Sequence, residues 1–353
     1  MPQQPLLFDF AEKNIPETLE RLESLITDNP WLIPVLDFSR EWFNSKVQFT
    51  FRTSGTTGIS KEYIVDRKQI KASVSNTAAF FNLKKGDNIF ICLNTAFTGG
   101  KMMLARALDI GMKIFIVPPS NLPYTNANEH FYKLTAFVPS QLFTMFNTPE
   151  YDQYLGQFRN ILVGGAAVNQ NIKNKCKGIR YCNIYETFGM TETLSHIALK
   201  KISGVYQEQP FEALPDVEID SDENDCLRIK AAVTGDIWLE TKDVVEMPKD
   251  NQFYWRGRFD NIINSGGIKI NPEEIEKAIF PVLNSSGFEN FFITSKSDEK
   301  FGQKLILVIE GVETTESILA KLKSFLPENH SPSGIIWQTE IKRTSSGKIL
   351  RTI

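Results

Sequence analysis

The chain has 353 residues, 42% of them hydrophobic and 23% charged, and its 39 Lys+Arg against 42 Asp+Glu leave a formal charge of −3. Such proportions exclude disordered, collagen-like and coiled-coil chains, and the missing basic excess argues against a general nucleic-acid binder, whose hold on phosphates needs a positive field. At about 100–200 residues per domain the length predicts two or three domains, large enough to stay folded without disulfides or a structural metal.

Cys92, Cys176, Cys182 and Cys226 are scattered with no C-x-x-C pair. They read as reduced thiols rather than zinc ligands or a redox pair. The three histidines have no metal-ligand spacing. Met1 to Phe10 lacks the basic-then-apolar order of a signal peptide, and no apolar run reaches the ~20 residues of a bilayer span. The expectation is a cytoplasmic protein without stable membrane insertion.

A lead-in holds one expected helix around Glu17 to Thr27. Val47 to Phe51 alternates β-branched and aromatic residues and predicts a strand running into a Thr/Ser/Gly-rich loop. Asp66 then caps a helix with Ile70, Val74, Ala78 and Phe81 on one face. A turn at Lys85-Gly86-Asp87 leads to a buried-type strand, Asn88 to Leu93. A Met/Leu-rich helix, Lys101 to Ile110, ends at Gly111, and a strand from Lys113 to Val117 stops at Pro118-Pro119. Ile161-Leu162-Val163 followed by Gly164-Gly165 repeats the strand-to-glycine pattern. This alternation predicts an α/β fold with a largely parallel sheet. Phe80, Phe81, Phe143 and Phe146 have helical spacing and read as core.

The texture changes after about Trp255. Pro272 opens a helix with Glu273, Glu274 and Glu276 near its positive end. Phe291 to Thr294, Lys304 to Ile309 and Gly334 to Trp337 read as strands, and Glu316 to Leu326 as a helix. The expected organisation is a large N-terminal α/β domain, residues 1–259, and a small α+β C-terminal domain, residues 260–353, joined by a hinge near Asp260.

Four segments carry chemistry. Thr53-Ser54-Gly55-Thr56-Thr57-Gly58-Ile59-Ser60-Lys61 follows a strand, and its glycines, hydroxyls and lysine suit an anion. It is not the G-x-x-x-x-G-K-[ST] nucleotide loop. Tyr185-Glu186-Thr187-Phe188-Gly189-Met190-Thr191-Glu192-Thr193 sets carboxylates among hydroxyls, which suits Mg²⁺ on nucleotide phosphates, and Tyr185 could stack on a base. The third runs from Gly257 through Arg258, Asp260, Gly266, Gly267 and Lys269 to Glu276. The fourth, Lys342 to Arg351, places Lys348 after a glycine, where it could serve as a mobile point charge. Taken singly, each reads as readily as a loop, a turn or a solvated tail.

Together and in this order, the four segments resemble the core motifs of the adenylate-forming superfamily: acyl-CoA synthetases, luciferases and peptide-synthetase adenylation domains. The resemblance runs from about Thr53 to the C-terminus. Within it, Asn264 to Ile270, Gly189 to His196 and the compact length look like the o-succinylbenzoate–CoA ligases of menaquinone biosynthesis. The resemblance implies a shortened adenylate-forming fold. It also implies an acid–thiol ligase that uses ATP, Mg²⁺ and coenzyme A and releases AMP and pyrophosphate.

The resemblance also implies roles. Thr53, Ser54, Gly55, Thr56, Thr57, Gly58 and Lys61 would hold the ATP phosphates, although Ser60 and Glu62 stand where the superfamily usually has proline and glycine. Gly164, Gly165, Ala166, Tyr185 and Glu186 would lie by adenine. Thr191 would sit by the α-phosphate and Glu192 would bind Mg²⁺. The ribose aspartate is expected at Asp243 with Arg258 as partner, and the literal Thr234-Gly235-Asp236 is read as a decoy. Thr98, Gly99, Gly189, Ser195 and His196 would border the acyl group, with Ser195 and His196 able to meet a second, aliphatic carboxylate, while His196 reads equally as an interior histidine with its hydrogen bonds satisfied. Asp260 would be the hinge, and Gly266, Gly267 and Lys269 would face CoA. Lys348 would bridge acid and ATP during adenylation. Two alternatives stay open, a ligase for another aryl or acyl acid and a non-catalytic nucleotide-binding module. The lead-in is short for the superfamily, so the acyl pocket would be closed by the lead-in itself or by a second subunit in a homodimer.

Overall fold

The computed structural model describes residues 4–10, 14–52, 62–123, 130–149, 151–313, 318–343, 349–351 and 353. They form two compact units. One comprises 1–219 and 229–239, the other 220–228 and 240–353. These units are groupings by contact.

In the first unit the strands are β1 (Leu6–Asp9), β2 (Gln48–Arg52), β3 (Glu62–Asp66), β4 (Asn88–Ile91), β5 (Lys113–Ile116), β6 (Tyr132–Phe137), β7 (Phe158–Val163), β8 (Asn183–Gly189), β9 (His196–Lys201) and β10 (Phe211–Ala213). Their sheet order is β1-β5-β4-β6-β7-β8-β9-β10, with β2 and β3 paired apart as a hairpin. Strands β5, β4, β6, β7 and β8 run parallel. Strands β1 and β9 add antiparallel edges to that block.

Side chains alternate across a pleated strand, so a strand covered on both faces must be apolar throughout. Ile89 and Ile91 of β4 and Ile114 and Ile116 of β5 enter one core. Phe90, Phe115 and their neighbours Cys92 and Val117 enter the other. The first core is roofed by α1 (Ile15–Leu25), α2 (Ile33–Phe43), α3 (Arg67–Phe81) and α4 (Thr98–Ile110). The second packs on α5 (Pro139–Phe146) and α6 (Gln170–Cys176). Helix α3 starts at Asp66, whose N–H donates to the Gln69 side chain over 3.0 Å. Helix α4 begins three residues before the expected Lys101 and ends at Gly111, φ +76°.

The lead-in carries more than the one expected helix. It supplies the edge strand β1, α1 and α2, and buries Leu22, Leu32, Val35, Leu36, Phe38 and Trp42 in the first core. Phe143 is 38% exposed, whereas Phe81 and Phe146 are buried, so helical spacing overstated the α5 core by one ring.

In the second unit, β11 (Gln252–Arg258) pairs antiparallel with the strand before it, Asp243 facing Arg258. A separate five-stranded sheet consists of β12 (Ile263–Ser265), β13 (Ile268–Ile270), β14 (Phe291–Asp298), β15 (Gly302–Glu310) and β16 (Gly334–Gln338). It packs on α7 (Pro272–Ser285) and α8 (Ile318–Phe325) through Ile275, Ile279, Leu283, Ile318 and Leu322. Pro272 occupies the first turn of α7, and the Asn271 side chain caps it by accepting from Glu273 N over 3.2 Å. Among the described residues, no helix is long and apolar enough to cross a membrane.

Candidate active site

Residues Thr53, Ser54, Gly55, Thr56, Thr57, Gly58 and Lys61 of the expected phosphate loop, and Lys348, lie outside the described residues. The loop's two flanks are described, and the fold holds them together. Arg52 faces Glu62 across the β2–β3 hairpin, with an ion pair between their side chains. The Thr98 hydroxyl at the start of α4 donates to Arg52 O over 3.0 Å and bonds Tyr63 Oη over 2.9 Å. Lys101, one turn on, donates to Thr50 O over 2.8 Å above the ring of Phe51. Thr98 therefore clamps both sides of the loop. Gly99 lies beside it and is exposed.

Two glycines mark close approaches. A Cβ on Gly164, just past β7, would sit 2.0 Å from Thr187 Oγ1 of β8. A Cβ on Gly189 would sit 2.3 Å from Ser195 O. Gly165 has φ +84°, a left-handed conformation that glycine adopts without strain. Ala166 follows it, half-buried. Along β8, Tyr185 and Glu186 point to opposite faces. Tyr185 packs edge-on against Phe80 and Phe81 at ring distances of 5.7 and 5.3 Å. Glu186 is buried between Lys173 and Lys200, at 3.0 and 2.9 Å. Burial alone would raise its carboxyl. The two lysines outweigh burial and hold it below its ordinary value.

After β8 the chain makes a tight turn. Thr191 and Glu192 are exposed, while Thr193 and Leu194 are buried. Leu194 has φ +61° and ψ −42°, a conformation that costs an L-residue on the order of 1–3 kcal/mol. The Thr193 hydroxyl secures the turn by donating to Ser195 O over 2.8 Å. Glu192 borders a cleft of about 210 Å³ with Gln69, Val233, Thr234 and Trp238. Burial raises the Tyr63 phenol, the Thr98 bond opposes this, and the Glu192 charge adds to the rise. The clamp and Glu192 thus share one neighbourhood. No cluster of three metal-ligating side chains occurs among the described residues. A lone exposed carboxylate suits Mg²⁺, which completes its shell with phosphate oxygens and water.

Behind this turn lies a buried polar chain. Arg106 of α4 is 2% exposed and donates from Nη2 to Ser195 Oγ over 2.9 Å. Ser195 Oγ lies 3.3 Å from His196 Nδ1, and His196 Nε2 lies 3.2 Å from Thr77 Oγ1. Thr77 in turn donates to Ser73 O over 3.0 Å. Burial, then the Arg106 charge, hold His196 well below its ordinary value, so the ring is neutral. One proton assignment satisfies every partner: Ser195 donates to Nδ1 and Nε2–H donates to Thr77. Burial pushes the Arg106 guanidinium down to about 10. Its Nε has no hydrogen-bond partner, and no carboxylate pairs with it among the described residues. Sequence reasoning missed Arg106, because inside Met102 to Ile110 it reads as an ordinary helix residue. Spacing from Ser195 could not reveal it, since 89 residues separate the two.

In the second unit Asp243 is buried. Its carboxylate accepts from Trp255 Nε1 over 2.9 Å and from Arg258 Nη1 over 3.3 Å. The Asp243–Arg258 partnership is therefore present. In Thr234-Gly235-Asp236 the threonine hydroxyl is spent locally, donating to Ala231 O and Ile237 O, and Asp236 is exposed. Asp260 is exposed beside Lys242 at 2.8 Å and Arg258 at 3.4 Å, and the Lys242 bond holds its carboxyl below the ordinary value. Gly266 and Gly267, φ +60° and +82°, make the two-residue turn between β12 and β13, which requires positive φ at both places. Lys269 is exposed on β13.

Residues 45–246 match the family model of AMP-binding enzymes. The 2-succinylbenzoate–CoA ligase of Lactococcus lactis subsp. lactis is 27% identical over 352 residues, covering 92% of this chain and 74% of that protein. The enzyme of that name from Bacillus anthracis is 26% identical over 378 residues, covering 93% and 77%. Among solved structures, an acyl-CoA synthetase (AMP-forming)/AMP-acid ligase II-like protein from Dyadobacter fermentans is 32% identical with a TM-score of 0.63, covering 92% of this chain and 93% of that one. The o-succinylbenzoate coenzyme A synthetase of Bacillus subtilis, solved with ATP and magnesium ion, shares the fold with a TM-score of 0.66 at 20% identity, over 86% of this chain and 68% of that one.

Proposed function

The chain belongs to the AMP-binding enzyme family, and from that premise we propose that it is an ATP-dependent acid–CoA ligase whose acid is o-succinylbenzoate. The observation that carries the choice of acid is Arg106. A buried guanidinium without a carboxylate is costly, and a carboxylate in reach would be strongly favoured. o-Succinylbenzoate has two carboxyl groups. One can be activated while the other, left as a free carboxylate, suits Arg106 and Ser195. The names of the relatives above support the same reading.

The chain's residues then divide the work. Residues 53–61, whose flanks Arg52 and Tyr63 are bonded to Thr98, and Thr191 offer donors to the phosphates. A Mg²⁺ held at Glu192 would neutralise phosphate charge there. Asp243, oriented by its bonds to Arg258 and Trp255, suits the ribose hydroxyls, and Tyr185 backs the adenine side. Glu186, pinned by two lysines, anchors β8 rather than touching nucleotide. Gly164 and Gly189 make room for Thr187 and for the backbone at Ser195, and with Gly99, Gly165 and Ala166 they would border the ligands. Lys348 offsets the repulsion between the acid's carboxylate and ATP, so that the carboxylate oxygen attacks the α-phosphorus and pyrophosphate leaves. Rotation about Asp260 then exchanges Lys348 for the face carrying Gly266, Gly267 and Lys269, and the CoA thiol displaces AMP.

The test is pyrophosphate release and CoA-thioester formation over a panel of o-succinylbenzoate, benzoate and aliphatic acids. o-Succinylbenzoate is expected to give the highest kcat/KM, and a higher value for any other acid overturns the assignment. Arg106→Met is expected to lower kcat/KM for o-succinylbenzoate by about 30- to 1000-fold, the loss of about 2–4 kcal/mol at a buried charge pair. Its effect on benzoate should be within about threefold. An equal loss on both acids would make Arg106 structural.

A further inference from the structure

We propose that Arg351, with Glu273 and Glu276 of α7, is a positioning clasp that ties the chain just after Lys348 to the segment beside the hinge residue Asp260. This rests on the role proposed above for Lys348. The contacts form one connected set. Arg351 engages Glu276 with both arms of its guanidinium, Nη1 to Oε1 and Nη2 to Oε2, the second at 2.8 Å. Nη1 also donates to Ile293 O over 2.9 Å, and Glu276 Oε1 accepts from Ile293 N over 2.6 Å. Nη2 lies 3.4 Å from Glu273 Oε1, and that same oxygen accepts from Asn261 Nδ2 over 2.5 Å. Asn261 is the residue after Asp260. Glu273 Oε2 is buried with no hydrogen-bond partner, 2.7 Å from where a Cβ on Gly257 would stand. Glycine at 257 thus leaves room for the carboxylate.

The geometry is that of an anchor. The three side chains retain only 23%, 10% and 17% of their exposure, and a forked, mostly buried pair resists sliding in a way that a solvated pair does not. The flanks of residues 344–348 are fastened as well. Arg343 and Ile349 bridge antiparallel, Leu350 N donates to Lys342 O over 2.9 Å, and Arg343 reaches Asn290 Oδ1 at 2.8 Å. Arg351 lies three residues beyond Lys348. It fixes the chain that follows Lys348 relative to α7, and Glu273 carries the same reference to Asn261. The chain at Arg351 and the hinge segment then move as one piece, so a rotation at Asp260 is passed to the segment that carries Lys348.

The experiment separates the two half-reactions by single-turnover kinetics. Adenylation is read as pyrophosphate release from acid and ATP, and the second half as thioester formed from preformed acyl-adenylate and CoA. Arg351→Met is expected to slow adenylation about 30- to 100-fold and to leave thioester formation within about threefold. Arg351→Lys should restore little, because a point charge cannot reproduce the fork. Glu276→Gln, which keeps shape and one acceptor, is expected to be intermediate and covers the case in which Arg351→Met fails to fold. The deciding readout is the double variant with Lys348→Ala. If Arg351 acts through Lys348, the double variant adenylates no more slowly than Lys348→Ala alone. Additive losses, equal losses in both half-reactions, or unchanged adenylation in Arg351→Met and Glu276→Gln would each overturn the clasp. If Lys348→Ala by itself adenylates normally, the role of the lysine falls, independently of what Arg351 does.

Discussion

At the scale of single residues, His196 is informative because its protonation is fixed by its neighbours. Ser195, Thr77 and the Arg106 charge leave no place for a second ring proton. A histidine held neutral when folded but free to charge near pH 6.5 when unfolded makes acid destabilising. The unfolded chain binds the extra proton, so stability is full above about pH 6.5 and falls below it by up to about 1.4 kcal/mol per pH unit. His196→Gln should flatten this part of the profile, measured as the difference in urea midpoint between pH 7 and pH 5. If wild type and variant lose stability in parallel, the ring is not neutral in the folded protein. Ser195 and His196 were legible in the sequence because they follow the Thr191-Glu192 motif directly. Arg106 was not. Its chemistry arises only when α4 packs against the start of β9, and a lone arginine in an apolar helix has no local signature of being buried.

At the scale of elements, the site depends on how closely backbones pass. Gly164 and Gly189 look alike in the sequence as glycines at strand ends, yet their neighbours differ. At Gly164 the obstacle is the Thr187 side chain, and at Gly189 it is the backbone at Ser195 and His196. Gly164→Ala is expected to cost about 1–2 kcal/mol, and Gly164→Ala with Thr187→Ala should recover most of that, since the second change removes the obstructing oxygen. Gly189→Ala should cost about 2–4 kcal/mol with no side-chain rescue, because β8 and β9 would have to part. Denaturant midpoints of the four proteins check this, and failure of the Thr187 rescue would show that Gly164 matters for another reason. The strand-to-glycine junction at Val163-Gly164-Gly165 and the parallel strands were readable because they follow from local rules of turn chemistry and alternation. β1 and α2 of the lead-in were not, since their burial depends on partners far along the chain, such as Lys113–Ile116 for β1.

At the scale of the molecule, two compact units with separate cores should respond separately to heat and to ligand. The unit that contains the phosphate loop and Glu192 holds the first two cores, and the other has its own around Ile279 and Leu307. A ligand at 100 times its Kd stabilises the unit that binds it by about 2.7 kcal/mol. For a unit of this size that corresponds to a rise of about 5–10 °C. Calorimetry is therefore expected to resolve two transitions, with MgATP raising that of the first unit most. Glu192 is exposed, so Glu192→Gln should leave the ligand-free transition within about 1 °C of wild type while reducing the MgATP-dependent rise. ATP without magnesium should then affect wild type and variant alike, because what the variant lacks is the carboxylate for the metal. A full MgATP shift in Glu192→Gln would remove Glu192 as the metal-binding residue. No MgATP shift in either protein would remove the nucleotide from the proposed function altogether.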